Sequence, residues 1–327
     1  MNIDMPTRDP GRPPIARVCV TGGAGMIGRR LVSRLNRQGV AVAVVDDLSG
    51  GLPMPEGVAI AHRGDIRAET DMLALLRDFR PDAVVHLAAL HQIPICETQR
   101  SLCLDINVVG TETILHAATE AGVGRVVLAS SGAVYGWSEG PLDEELSPTE
   151  ARDIYALSKL CNENQLRLWS ERSGGQGRVA RIFNTIGGDD PNAHLLPDIL
   201  AQLRSETAGE AVVRLGNLKS RRDYVHADEV AEGVLALLMD VRRRAFDLFN
   251  LCSGQEHSVE QLVSCLAQCL GRTVRITVDE ARRRRVDRPS QMGNPARALA
   301  LLGWRAHLDL QGVLEKMLAE RGDVATA

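Results

Sequence analysis

No uninterrupted apolar run of about 18 residues, the least a membrane-spanning helix needs, occurs in the 327-residue chain. The N-terminus also lacks the charged-then-apolar order of a secretion signal. Residues 1–14 carry Asp4, Asp9 and several prolines and read as a flexible leader. No C-x-x-C pair is found among the seven cysteines, Cys19, Cys96, Cys103, Cys161, Cys252, Cys265 and Cys269. Their odd number and dispersal exclude a disulfide framework and zinc-ligand spacing, so no metal is expected and the thiols read as the reduced ones of a cytoplasmic protein. A basic excess is missing as well, since 38 Lys plus Arg stand against 42 Asp plus Glu, a net charge of −4. That argues against a nucleic-acid partner while leaving room for a local basic patch around a diphosphate.

What is present is ordinary for a folded domain: 44% of residues are hydrophobic, and the length suits one large α/β unit or two domains of unequal size. Short β-rich apolar runs alternate with longer stretches of helical spacing. The runs fall at 17–20, 41–45, 59–62, 83–87, 125–129, 179–182 and 246–251, near-continuously apolar as buried parallel strands must be. Helical spacing covers 27–38, 70–79, 101–121, 154–170 and 228–239. The alternation predicts an α/β fold with a doubly wound parallel sheet. Residues 187–222 and the tail beyond Leu251 break the pattern with loops, prolines and the cluster Arg282 to Arg285, and are expected to form a smaller lobe that holds substrate. No internal repeat is visible.

After the first run stands Thr21-Gly22-Gly23-Ala24-Gly25-Met26-Ile27-Gly28, opening a helix. Gly22 permits the tight turn, Gly25 lets backbone approach a pyrophosphate, and Gly28 allows close packing of helix on strand, while the helix N-terminus offers free N–H groups to the anion. Asp46 follows Gly22 by 24 positions, at the end of the second run. A carboxylate there accepts from both adenosine ribose hydroxyls and repels a 2′-phosphate, which favours NAD over NADP; the alternative for Asp46 is a strand-end cap. Asp65, before Ile66, is either an acceptor for the adenine amino group or a turn residue.

Tyr155 and Lys159 are i and i+4 on one helix face. A neighbouring ammonium and a positive nicotinamide ring are both expected to bring the phenol towards the working range of a base, with Lys159 also holding the nicotinamide ribose. Ser131 lies 24 residues before Tyr155, at the carboxyl edge of the fifth run, where it can donate to a substrate oxygen as charge develops. Its neighbour Ser130 is the rival, or only a strand-end hydroxyl. Asn107 is a polar residue in an apolar helix, expected to order that helix and a water near Lys159.

This order of motifs, with His86-Leu87-Ala88-Ala89 and Asn107-Val108-Val109-Gly110-Thr111 among them, resembles the extended short-chain dehydrogenase/reductases, specifically the nucleotide-sugar epimerase/dehydratase family. The resemblance runs from about Arg17 to Glu320 and continues through Arg181-Ile182-Phe183-Asn184 and Arg222-Asp223-Tyr224-Val225-His226-Ala227-Asp228. It implies a Rossmann domain for NAD at 15–186 and 223–252, a substrate lobe at 187–222 and 253–327, and a homodimer formed through the helices at 101–121 and 154–170. It further implies that Met26, Ile27, Ile66, Leu87, Ala88, Ala89 and Asn107 join the glycines, Asp46 and Asp65 around the cofactor. Asn184, Leu196, Arg222 and Arg284 would serve the substrate, the two arginines through its diphosphate. Arg284 is chosen from its charge run because Asp287 and Pro289 follow at family-like spacing.

Relatives that dehydrate or decarboxylate carry a glutamate two positions after the catalytic hydroxyl residue, where this chain has Ala133. Without a base at that place, C5 proton removal loses ground. The implied function is an NAD-dependent nucleotide-sugar 4-epimerase working through a 4-keto intermediate. The alternative is a 4-keto-sugar reductase, since 215–223 is similar to the matching segment of GDP-sugar enzymes, which leaves the base open between uridine and guanosine. A non-catalytic NAD-binding protein would have no need for Ser131, Tyr155 and Lys159 together.

Overall fold

A computed structural model describes residues 15–138, 140–190, 195–205, 210–282 and 288–323. The leader at 1–14 and Arg284 lie outside the described residues. Seven parallel strands form the main sheet: β1 (Arg17–Thr21), β2 (Ala41–Asp46), β3 (Ile60–Arg63), β4 (Ala83–His86), β5 (Arg125–Ser131), β6 (Gln176–Ile182) and β10 (Phe246–Leu251), in the spatial order 3-2-1-4-5-6-10. The order reverses between β1 and β4, which run in register from Val18 opposite Ala83. At such a switch point the carboxyl ends of the strands open a crevice for a ligand.

Helices cover both faces, as two-sided strand burial requires. Leu31 and Leu35 of α1 (Met26–Arg37) share one core with Val230 and Val234 of α8 (Ala227–Leu238). On the other face α2 (Glu69–Phe79), α5 (Gly110–Glu120) and α6 (Ile154–Ser173) bury Met72, Ile114 and Leu166. Asp153 caps α6, its Oδ1 accepting the Ala156 N–H at 2.7 Å, and Gly174 ends it at φ 73°. Such a left-handed stop suits glycine.

The single helix expected at 101–121 is interrupted. A short α4 (Arg100–Leu104) passes into a π-helical turn at Asp105–Val109 before α5 begins. Within this turn the Asn107 carbonyl accepts two side-chain donors, Thr111 Oγ at 2.6 Å and Asn162 Nδ2 at 2.7 Å.

A third core joins Ile199 and Leu203 of α7 (Leu195–Ser205), Val213 of β8 (Ala211–Leu215), Leu262 and Leu266 of α9 (Val259–Cys269), and Leu314 and Leu318 of α11 (Leu310–Glu320). The strand β9 (Arg221–His226) belongs to a small separate sheet with β7 (Asn184–Ile186), β11 (Glu256–Ser258) and β13 (Ser290–Gln291). The tail does not go wholly to the lobe. Ala298 of α10 (Ala296–Leu302) and Trp304 pack in the α1 core, and Trp304 Nε1 donates to the Glu229 carbonyl at 3.0 Å. No described helix is long and apolar enough to cross a membrane.

Candidate active site

One cavity of about 1170 Å³ follows the carboxyl edge of the main sheet and runs into the lobe. Its wall includes Gly22, Gly25, Met26, Ile27, Gly28, Asp46, Asp65, Ile66, Leu87, Ala88, Ala89, Ser131, Tyr155, Lys159, Asn184, Leu196 and Arg222. The sequence-expected residues thus share one space, with two exceptions. Arg284 is outside the described residues. Asn107 is buried behind the wall and not in it, because its side chain is already satisfied: Oδ1 accepts Leu90 N–H at 2.8 Å, and Nδ2 donates to Leu90 O and Ser158 Oγ, each at 2.9 Å. Its effect on the cavity is to fix the loop after β4.

The glycine turn is built for close approach. Gly22 has φ +69°, and a Cβ there would stand 2.6 Å from Ala88 N, while a Cβ on Gly28 would collide with the Gly22 carbonyl oxygen. No side chain caps α1 and no acidic residue sits in its first turn, so that end of the helix remains a site for an anion. Asp46 combines both of its sequence readings. It lines the cavity, yet Oδ2 accepts Ala24 N–H at 2.9 Å and Oδ1 accepts Leu48 N–H at 2.8 Å. Each oxygen keeps a lone pair for a further donor. Asp65 follows its turn reading: Oδ1 accepts the Arg67 N–H at 2.8 Å, and Arg67 pairs with both oxygens, holding the carboxyl below its usual range.

Behind the turn lies a wire that periodicity could not show. Thr111 spends its proton on the Asn107 carbonyl, so its oxygen accepts His86 Nε2–H at 3.0 Å, and His86 Nδ1 then accepts from Thr21 Oγ at 2.6 Å. Burial pushes His86 down to about 3, keeping it neutral.

At the reactive end Tyr155 and Ser131 share the cavity wall, Ser131 near enough to work against the rise that burial causes in the phenol, and Ser131 Oγ accepts the Ala133 N–H at 3.1 Å. Lys159 Nζ lies 5.7 Å from the Tyr155 ring centre and donates to Ala129 O at 2.9 Å. The expectation that the ammonium makes the phenol acidic needs correction for the protein alone. Burial dominates: it raises Tyr155, with Ser131 opposing, and lowers Lys159 to about 8.

Ser130 also lines the cavity, and its bond is to a side chain and not to backbone. It donates to Glu163 Oε1 at 2.6 Å, and Glu163 is gripped through both oxygens by Arg181, at 2.9 and 2.7 Å. Glu163 stands one turn beyond Lys159, a spacing that could have flagged it. Arg222 is steadied by the carbonyls of Arg221 and Arg288, each accepting Nη1 at 2.8 Å. Asp223 anchors loops, accepting from the N–H groups of Ser253, Gly254 and Gly293. His226, Asp228 and Glu320 bring possible ligand atoms within 4.8 Å of one another. Their carboxylates are already paired, Asp228 with Arg34 and Lys316, Glu320 with Arg30, which makes the cluster a salt-bridged seam.

The doubly wound sheet, glycine turn and hydroxyl, phenol and ammonium trio are those of an extended short-chain dehydrogenase/reductase. More particularly, the chain belongs to the NAD dependent epimerase/dehydratase family, whose model matches residues 18–252. It is 31% identical to a GDP-6-deoxy-D-mannose reductase of Pseudomonas aeruginosa over 93% of this chain and 96% of that one. It is 30% identical to a UDP-glucose 4-epimerase of Azospirillum brasilense, over 93% and 91%. A solved structure of UDP-glucose 4-epimerase from Stenotrophomonas maltophila, with bound NAD and formylated UDP-arabinopyranose, matches with TM-score 0.83 at 28% identity, over 94% of this chain and 98% of that one.

Proposed function

We propose that the protein is an NAD-dependent nucleotide-sugar 4-epimerase. The observation that carries this is that Ser131, Tyr155 and Lys159 share the wall of the cavity that also holds the glycine turn, with Lys159 Nζ 5.7 Å from the Tyr155 ring centre. Gly22, Gly25 and the first turn of α1 would hold the cofactor's pyrophosphate, Asp46 its adenosine ribose, and Lys159 the nicotinamide ribose. NAD, when bound, supplies the group that takes hydride from C4 of the sugar and gives it back.

The chain's own residues do the rest. Tyr155 removes the proton from O4 and later returns it, while Ser131 donates to that oxygen and limits its charge. Arg222 and Asn184 anchor the nucleotide diphosphate, which keeps the 4-keto sugar in the pocket while it turns its other face. Ala133 gives no C5 base, which favours epimerisation over dehydration. Assignment of 15–186 and 223–252 to the cofactor, and of 187–222 and 253–327 to substrate, belongs to the same reading, apart from the stretch with Ala298 and Trp304 that packs in the α1 core.

A reductase of nucleotide 4-keto sugars is the second reading, favoured by the likeness to the GDP-6-deoxy-D-mannose reductase. Incubating the protein with UDP-, GDP-, dTDP- and CDP-sugars and following products by NMR separates them. Interconversion at C4 without net cofactor change supports the epimerase; stoichiometric oxidation of NADH or NADPH by a 4-keto sugar supports the reductase.

The assembly proposed is a homodimer in the cytoplasm. Its support is an exposed apolar stripe, Leu102 and Val109 on the segment at 100–109 and Leu157 and Leu168 on α6, which lies against it.

A further inference from the structure

Three arginines are buried among the described residues. Arg178 pairs with Asp240, and Arg181 with Glu163. Arg288 is held differently, by carbonyl oxygens alone. Its Nη2 donates to Gly136 O at 2.9 Å, Nη1 to Tyr135 O at 3.2 Å and Gly132 O at 3.4 Å, and Nε to Ser290 O at 2.9 Å. No carboxylate among the described residues pairs with it, and burial together with Arg222 and Arg152 pushes it down to about 10. A guanidinium so placed is costly, and its forked donors offset that cost by meeting carbonyl oxygens, of which Gly132 O also accepts the Tyr135 N–H at 3.4 Å.

Those acceptors are the carbonyls of the irregular segment that leaves β5. Gly132–Val134 is a single 3₁₀ turn that begins directly after Ser131, and such a turn leaves carbonyls outside any ladder. A second contact from the same side is Gln291: a Cβ on Gly132 would stand 2.9 Å from its Nε2. Arg288 is tied in turn to the cavity wall, because its own carbonyl accepts Arg222 Nη1 and the adjoining β13 pairs with β9 at Ser290–Arg221 and Gln291–Arg222.

We propose that Arg288 is a positioning residue that fixes the turn bearing Ser131 against the substrate lobe, so that the serine hydroxyl is aimed by the strand pair that also carries Arg222. This rests on the nucleotide-sugar reading above. Arg288 touches neither substrate nor cofactor, and its influence is on kcat. A displacement of Ser131 by about 1 Å is enough to cost roughly 100-fold in rate.

The test uses the full-length Arg288→Ala and Arg288→Lys variants with a nucleotide sugar that the wild type epimerises. Expected are a kcat lowered about 10- to 100-fold in Arg288→Ala, a KM within a few-fold of wild type and an unchanged NAD titration. Guanidinium added well below denaturing concentration should restore kcat saturably, whereas methylammonium should not. Arg288→Lys keeps charge but loses the fork, and should show the same split of kcat from KM should the alanine variant fail to fold. Wild-type kcat in a folded variant, or a loss indifferent to guanidinium and carried by KM, overturns the proposal. A wild type that turns over no nucleotide sugar is a different result, and removes the reading on which the proposal rests.

Discussion

Tyr155 and Lys159 show how far burial rules single groups at this site. Exchanging Tyr155 for Phe removes the proton acceptor while leaving the ring; turnover should fall about 100- to 10,000-fold, with NAD binding kept, as a fluorescence titration and an initial-rate assay will register. Undiminished activity in Tyr155→Phe would refute the role. Lys159 carries a pH dependence of two signs. Its ordinary value of 10.5 is lowered to about 8 in the folded chain, so across that interval the unfolded chain holds more protons and its contribution to stability grows as pH rises. Activity, for which the proposed mechanism needs the ammonium, should instead decline as pH passes about 8. A pH–rate profile set beside pH-dependent unfolding of wild type and Lys159→Met checks both; parallel trends in rate and stability would contradict the account.

At the scale of elements, the glycine turn and the strand ends were legible because one-residue spacing carries their chemistry. The strand Phe246–Leu251 has the limits its apolar run predicted, and the helix at 70–79 starts one residue early, at Glu69. The π-helical interruption was not legible, since the partners that Asn107 meets within it, Leu90 and Asn162, are distant in sequence. Exchanging Asn107 for Leu leaves the Leu90 backbone and Ser158 without their partner, and should cost about 1–3 kcal/mol in denaturant unfolding. A loss within experimental error would show that the clamp does not matter. For the glycine turn, Gly28→Ala forces a Cβ onto the Gly22 carbonyl oxygen, and overpacking of this kind costs about 1–3 kcal/mol. Weakened NAD binding together with a lower Tm is expected, and normal binding would argue against a cofactor at this turn.

Over the whole molecule, the three larger cores among the described residues support the crevice, and what the sequence could not reveal is how the lobes are fastened. The seam is electrostatic: Arg30 of α1 reaches Asp189 and Glu320 at 2.6 and 2.7 Å, drawing α11 and the loop after β7 towards the helix whose N-terminus would meet the pyrophosphate. Arg288 was hidden for the same reason. The sequence presents it three residues beyond the basic run Arg282 to Arg285, and only its burial beneath the Ser131 turn distinguishes it from a solvated charge. The homodimer is tested at this scale. Val109→Glu with Leu157→Glu should shift sedimentation from dimer to monomer, and a wild type that sediments as a monomer would refute the interface.

The proposed reaction demands that hydride lost from C4 return to the other face of the same carbon within the pocket. A nucleotide sugar deuterated at C4, incubated with the protein and examined by NMR, reports on it directly. The account expects the C4 epimer to appear with deuterium still at C4 and no net change in NADH. Loss of the label from C4, or consumption of NADH in step with product, would contradict it.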